Sequence, residues 1–229
     1  MNLILLVVAL LFLWVLWRYF SRSDAPPVKQ DQVAENAMRK RGAEAEAMVE
    51  AVLKQSSIPF IHTLYIQHLK RGFSNELDFV AVVGQELWII EVKGWSGELR
   101  GQRDVEGWVS EKVSQGGNHF IKERRNPFFQ LVQHEKQISR IAKSSKAKGV
   151  RIKKVLVMTH GTPRVDDLKT HESAFTIAQF KRAIKTAQVS KIEGGLKQLW
   201  QRLNKIHQSV DPVMAERAHR ALIAKYQSK

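Results

Sequence analysis

Asp78 stands among Leu77, Phe79, Val80 and Val82, and Glu91 and Lys93 close a run that holds Ile89, Ile90 and Val92. Charged side chains inside such apolar runs are costly to desolvate, so they call for a reason. On an extended strand residues i and i+2 point to one face, which sets the Cα atoms of Glu91 and Lys93 about 6.5–7 Å apart with their side chains together. Gly84-Gln85 forms a tight connection between the two runs, and a hairpin through it brings Asp78 to the neighbouring strand close to Glu91. Two carboxylates and one ammonium then share a rim of the sheet. A carboxylate pair suits a hard divalent cation, Mg²⁺ or Mn²⁺, which keeps several waters and draws further ligands from a phosphate. Beside a lysine, this is an arrangement for cleaving phosphodiesters. The metal polarises the phosphoryl oxygen and activates water, while the lysine holds or deprotonates that water and offsets charge. Taken alone, Glu91 and Lys93 also fit a solvated strand end with an ion pair worth under about 1 kcal/mol.

The elements that must position these groups follow from periodicity. A helix is predicted over 32–54, with Val33, Ala37, Ala45, Met48, Val49 and Val52 as a broken apolar stripe and Pro59 beyond its end. Strands are predicted over 60–66, 77–83 and 86–92. The nearly continuous apolar run of the third reads as a central strand covered on both faces. Residues 94–118, with glycines and two tryptophans, read as turns and short strands. Asn126-Pro127 signals a helix start, the Asn capping and the Pro at the first position, and the helix runs to about 143 with Phe128, Leu131, Val132, Ile138 and Ile141 inward. A strand over 151–159, a β-like stretch over 174–178, and helices at about 179–187, 190–207 and 212–226 complete the chain. The order implies an α/β (α+β) sandwich about a central sheet.

On these elements Asp78 and Glu91-Val92-Lys93 resemble the D…ExK core of the PD-(D/E)xK nuclease superfamily, and their surroundings resemble its nuclease-related domain branch. The carrying blocks are Arg41-Gly42-Ala43-Glu44-Ala45-Glu46, Asn75-Glu76-Leu77-Asp78-Phe79-Val80, Ile90-Glu91-Val92-Lys93-Gly94-Trp95-Ser96-Gly97 and Asn126-Pro127-Phe128-Phe129-Gln130. The resemblance implies a restriction-endonuclease-like αβββαβ core acting on nucleic acid with Mg²⁺. It implies Asp78, Glu91 and Glu46 as metal ligands and Lys93 as the catalytic lysine. Glu46 would also orient a metal-bound water, and Gln130 would be a polar helper. Ala45 departs from the family pattern, which has glycine there, and both Glu44 and Glu46 stay open as the acid that faces the site.

Charge and grease divide the chain further. Of 37 basic and 22 acidic residues, 1–135 hold 16 of each, so the whole excess of +15 lies in 136–229. Lys136, Arg140, Lys143, Lys146, Lys148, Arg151, Lys153 and Lys154 occur without an intervening acid, and are expected to bind nucleic acid, DNA ahead of RNA, or acidic lipid headgroups. The first 17 residues carry no charged side chain. A helix extended to Phe20 is about 30 Å long, enough to span a bilayer. Trp14, Trp17 and Tyr19 fit an interfacial belt, and Arg18, Arg22 and Lys29 on the C-terminal flank place the following domain in the cytoplasm, at the cell (inner) membrane. The expected organisation is an anchor over 1–20, a linker over 21–34, the core over 35–160 and a basic, mostly helical extension over 161–229.

The absence of cysteine excludes disulfides, thiolate zinc sites and a cysteine nucleophile. No phosphate-binding glycine loop and no HExxH occurs. Three functional classes remain: a membrane-anchored, Mg²⁺-dependent nuclease, a nucleic-acid-binding module with weak or no catalysis on the same scaffold, and a membrane-proximal interaction protein whose basic tail binds anionic lipid.

Overall fold

The structure, a computed structural model, describes residues 28–68, 72–187 and 191–227. The anchor expected over 1–20 lies outside them. Among the described residues no helix is long and apolar enough to cross a membrane. The chain forms two compact units, 1–41 and 42–229. The described part of the first is the start of helix α1, and everything below concerns the second.

Helix α1 (Val28–Gln55) leads into strands β1 (Phe60–His68), β2 (Gly72–Val83), β3 (Glu86–Gln102), β4 (Gly107–Val113) and β5 (His119–Arg125). Helix α2 (Pro127–Ser144), strands β6 (Arg151–Asp166) and β7 (Glu172–Thr176), and helices α3 (Ile177–Thr186), α4 (Gly194–Ser209) and α5 (Pro212–Gln227) follow. The fold is mixed α/β about one seven-stranded sheet. Strands β1 to β5 pair antiparallel in sequence order, while β6 runs parallel to β3, and β7 parallel to β6.

The alternation in β3 explains why it sits in the middle. Leu87 and Ile89 enter a core cluster with Phe128, Leu131 and Ile138 of α2 and Leu199 and Leu203 of α4. Trp88, Ile90 and Val92 enter a second cluster with Val49 and Leu53 of α1 and Phe180 and Ile184 of α3. A strand covered on both faces needs apolar residues at nearly every position, which is what its first half has. On α1 the buried stripe is Ala45, Val49, Val52 and Leu53, whereas Met48, expected inward, is 38 % exposed. Buried Ala45 holds the position at which the family pattern has glycine, so a methyl group is accommodated there.

Helix α2 starts where the dipeptide signal placed it. The Asn126 side chain accepts a hydrogen bond from the Phe128 N–H, with Pro127 in the first turn. Its Nδ2 donates to the carbonyls of Arg103 and Val105, both at 2.8 Å, so one side chain ties the helix start to the β3–β4 turn. On this helix His134 is buried, while Val132 and Ile141, expected inward, are half-buried.

The largest difference from the sequence expectation is the length of β3 and β6. Residues 94–118 hold the second half of β3 and all of β4, and β6 runs on to Asp166 beside it. Gly97 makes the extension feasible. It sits at φ 91° with the Glu111 carbonyl where a Cβ would be, so only glycine combines that conformation with so close an approach of β4.

Candidate active site

The β2–β3 hairpin pairs Val83 with Glu86 and continues to Phe79 with Ile90, where the ladder ends. The β4 ladder on β3 begins only at Glu98. From Glu91 to Gly97 that edge of β3 therefore has no antiparallel neighbour, and the sheet forks. Asp78, next in register opposite Glu91, turns its side chain into the fork. Its Oδ2 accepts a hydrogen bond from the Val92 N–H at 2.7 Å, and this carboxylate takes the place that a strand carbonyl would have held.

Glu91 is buried at the same place, 1 % exposed. Its Oε1 accepts a hydrogen bond from Lys93 Nζ, as the i, i+2 spacing predicts, and its Oε2 has no hydrogen-bond partner among the described residues. Burial pushes the Asp78 carboxyl well above the usual carboxylate range and the charge of Glu91 adds to the effect, against the opposing pull of Lys93 and the Val92 N–H. Burial likewise raises Glu91, with Lys93 opposing. For Lys93 burial alone pulls the ammonium down, but Glu91, Asp78 and Glu46 together outweigh it and hold the group above its ordinary value. The fork thus concentrates more negative than positive charge in a poorly solvated place.

Beside the fork is a cleft of about 360 Å³ lined by Lys93, Trp95, Arg125, Asn126, Gln130 and His134, among others. A nuclease-related domain model matches residues 41–159, more than half of the 229-residue chain. The chain belongs to the nuclease-related domain family. No curated protein and no solved structure matches it. The matched span runs from α1 into β6 and contains the fork, the cleft and all five residues expected to do chemistry.

Within the nuclease-related domain, Glu46 and not Glu44 faces inward. Glu44 is exposed, whereas half-buried Glu46 makes a 2.9 Å hydrogen bond with His62 Nε2. His62 is stacked on Phe79 at 4.3 Å between ring centroids. Glu46 still acts on Asp78, Glu91 and Lys93 through its charge. Among the described residues, however, no group of three or more His, Cys, Asp and Glu stands close enough to hold a metal ion. Of the three carboxylates expected as ligands, Asp78 and Glu91 share the fork, and Glu46 is hydrogen-bonded to His62. Gln130 is exposed and lines the same cleft as Lys93. His62 had no sequence signal, because its role depends on β1 pairing with β2. Trp95 lies inside one of the recognised blocks, and Arg124 stands two residues before Asn126, which opens another.

The eight cations do not form one face. Lys136, Arg140 and Lys143 are exposed along α2, and Lys146 and Lys148 are exposed in the loop after it. Arg151 lies 3.7 Å from Glu86, and Lys153 Nζ sits 4.8 Å from the Trp88 ring centroid. Lys154 is corrected from a surface cation to a buried one. It is 7 % exposed, bonded to Glu135 and 3.6 Å from Glu172, because strand alternation turns it towards the opposite side of the sheet from Lys153.

Proposed function

We propose that this chain is a divalent-metal-dependent phosphodiesterase of nucleic acid, DNA ahead of RNA, anchored in the cell (inner) membrane by residues 1–20 with its domain in the cytoplasm. The observation that carries the catalytic reading is Glu91 Oε2, buried and without a hydrogen-bond partner beside Asp78 and Lys93. A buried carboxylate oxygen left unsatisfied costs about 1–3 kcal/mol or more, and a cation in the fork removes that cost. Asp78 and Glu91 would hold Mg²⁺ or Mn²⁺. Two carboxylates are few for a protein cage but ordinary for Mg²⁺, which takes one or two together with waters and substrate phosphate. When bound, the ion supplies Lewis-acid polarisation of the phosphodiester.

The chain's own groups do the rest. Lys93, held as an ammonium by the surrounding carboxylates, donates to the water or phosphate oxygen and offsets the charge that develops on phosphorus oxygens. Glu91 fixes Lys93 through their ion pair, so the donor is oriented before substrate arrives. Gln130, on the first turn of α2 and lining the cleft together with Lys93, hydrogen-bonds the phosphate or the attacking water. Exposed Lys136, Arg140 and Lys143 continue along α2 and hold the backbone of the strand leading to the cleft. Anchoring rests on the uncharged run and its aromatic and basic flank.

The test is incubation of the full chain with plasmid, linear and single-stranded DNA and with RNA, each with Mg²⁺, with Mn²⁺ and with chelator. Metal-dependent cleavage that Asp78→Ala and Lys93→Ala abolish is the expected result. Binding without cleavage of any substrate would replace the enzyme by the nucleic-acid-binding module.

A further inference from the structure

The β4–β5 hairpin separates its two lysines from its two carboxylates. Directly opposite residues of an antiparallel pair share a face, and the face repeats every second residue. The register pairs Trp108 with Arg124, Ser110 with Lys122 and Lys112 with Phe120, so these six share one face. Glu123, opposite Val109, and Glu111, opposite Ile121, fall on the other. One face therefore carries Lys112, Lys122, Arg124 and an aromatic ring with no carboxylate, and the other carries both carboxylates of the hairpin strands together with Arg125 and His119.

While Arg125 of the other face lines the cleft itself, the cationic face touches the cleft wall through Trp95. At its base Trp108 is buried in the same cluster as Phe128 of α2. Next to it Arg124 stacks over Trp95 with its guanidinium carbon 4.7 Å from the ring centroid, and Trp95 lines the cleft. Arg124 Nε is buried and has no hydrogen-bond partner among the described residues, an arrangement that an anion would complete. Further out Lys112 and Lys122 are exposed and form no ion pair among the described residues. Directly opposite Lys112, Phe120 is 58 % exposed, which forgoes the burial that a phenylalanine ordinarily contributes. From Phe120 to Arg124 the strand covers about 13 Å, four steps of roughly 3.4 Å, the length of about four stacked nucleotides.

We propose that this hairpin is an arm that binds single-stranded nucleic acid: Phe120 stacks on a base, and Lys112, Lys122 and Arg124 hold the flanking phosphates on the way to Trp95 and the cleft. The inference rests on the nucleic-acid reading above and deepens it by naming the substrate class. Every base has a face on which an aromatic ring can stack, but in a duplex those faces are already occupied. Cations and a ring on one face match an unpaired strand, whereas apolar residues alone on an open strand edge would match a second copy of the chain.

The experiment measures fluorescence anisotropy of a short labelled single strand and of a duplex of equal length against the full chain, in chelator and over a range of salt. It compares the wild type with Phe120→Ala, Phe120→Leu and Lys112→Gln/Lys122→Gln. The wild type is expected to prefer the single strand. Phe120→Ala is expected to weaken that binding roughly tenfold and the duplex little, with Phe120→Leu no better than Ala because stacking, not apolar area, is lost. The lysine double variant is expected to flatten the salt dependence of the logarithm of affinity by about 1.4, from about 0.7 per phosphate contact. Unchanged single-strand affinity in Phe120→Ala, equal losses for strand and duplex, or a wild-type dimer that Phe120→Ala splits into monomers would each overturn the arm. Circular dichroism melts check that the variants are folded. Because binding is read without metal, a wild type that binds but never cleaves sinks the nuclease reading and leaves the arm standing. Metal-dependent cleavage with hairpin variants that bind normally sinks the arm alone.

Discussion

Asp78 faces two opposed demands, and they predict a separation of stability from activity. Its Oδ2 closes the fork by accepting from the Val92 N–H, while burial and the charge of Glu91 make its ionised form costly. Asp78→Asn keeps an oxygen for the Val92 N–H and removes the repulsion. Without metal the variant is expected to melt a few degrees above the wild type by calorimetry, and adding Mg²⁺ should raise the wild-type midpoint but not that of Asp78→Asn. Cleavage should fall by about 10²–10³-fold, the size of the effect when one group that stabilises developing charge is lost. A wild type whose melting ignores Mg²⁺ would count against Asp78 as a ligand. The adjacency of Asp78 and Glu91 was legible because a two-residue turn sets the register, and register carries every later pairing with it. The hydrogen bond of Glu46 to His62 was not legible, because it joins a helix face to a strand through packing that no short spacing encodes.

Elements explain why the fork stays open. β2 leaves β3 after Ile90 and β4 joins at Glu98, so the β3–β4 turn and the start of α2 must be tied down independently. Asn126 does this with three hydrogen bonds, one as helix cap and two to the turn. Asn126→Ala should lower stability by about 1–2 kcal/mol, a loss of roughly 2–4 °C in melting temperature for each kcal/mol in a chain of this size. It should also raise KM more than it lowers kcat, since Gln130 and the cleft wall shift while Lys93 stays on β3. A kcat loss at unchanged KM would contradict this. Arg103 supplies the second tie. It is 5 % exposed, hydrogen-bonds Glu172 of β7 at 2.7 Å and Asp104 at 2.5 Å, and Glu172 also accepts from the Lys169 N–H. Burial is the largest influence on Glu172 and raises it, but Arg103, the Lys169 N–H and the charge of Lys154 together hold its carboxyl below the usual value.

A carboxyl depressed by folding contributes stability that is fully present above its unfolded value of about 4.3 and is lost as pH falls through the folded value. The urea midpoint should therefore fall below about pH 4 in the wild type, and this part of the fall should be missing in Glu172→Gln. At neutral pH Glu172→Gln should cost about 3–5 kcal/mol, because Arg103 is left buried without its counter-charge. The sequence showed the cap, whose chemistry is local, but not the Arg103–Glu172 pair, whose partners are 69 positions apart. Likewise the long halves of β3 and β6 escaped notice because glycines and polar residues there read as turns, whereas strand pairing and Gly97 keep them extended.

At the scale of the whole chain the net charge of +15 acts through geometry rather than as a total. Lys154 spends its charge inside the fold on Glu135 and Glu172, while Lys136, Arg140 and Lys143 spend none on ion pairs among the described residues. Lys154→Met should consequently lower the melting temperature by several degrees and leave the salt slope of nucleic-acid binding as it is. Replacing Lys136, Arg140 and Lys143 by glutamine should do the reverse, leaving stability within about 0.5 kcal/mol and reducing the slope by about 0.9 for each lost contact to duplex DNA. If the proposed anchor holds the domain close to a bilayer, its cations would also meet acidic headgroups, at about 1 kcal/mol for each cation near the surface, and lipid and nucleic acid would compete for the same side chains. Removal of residues 1–28 separates the two attractions. The shortened chain is expected to leave the membrane fraction and to float with vesicles only when they contain acidic lipid and salt is low, and added DNA should then release it. Flotation that persists with neutral lipid, or that DNA leaves untouched, would mean that the basic surface and the membrane meet through some other part of the chain.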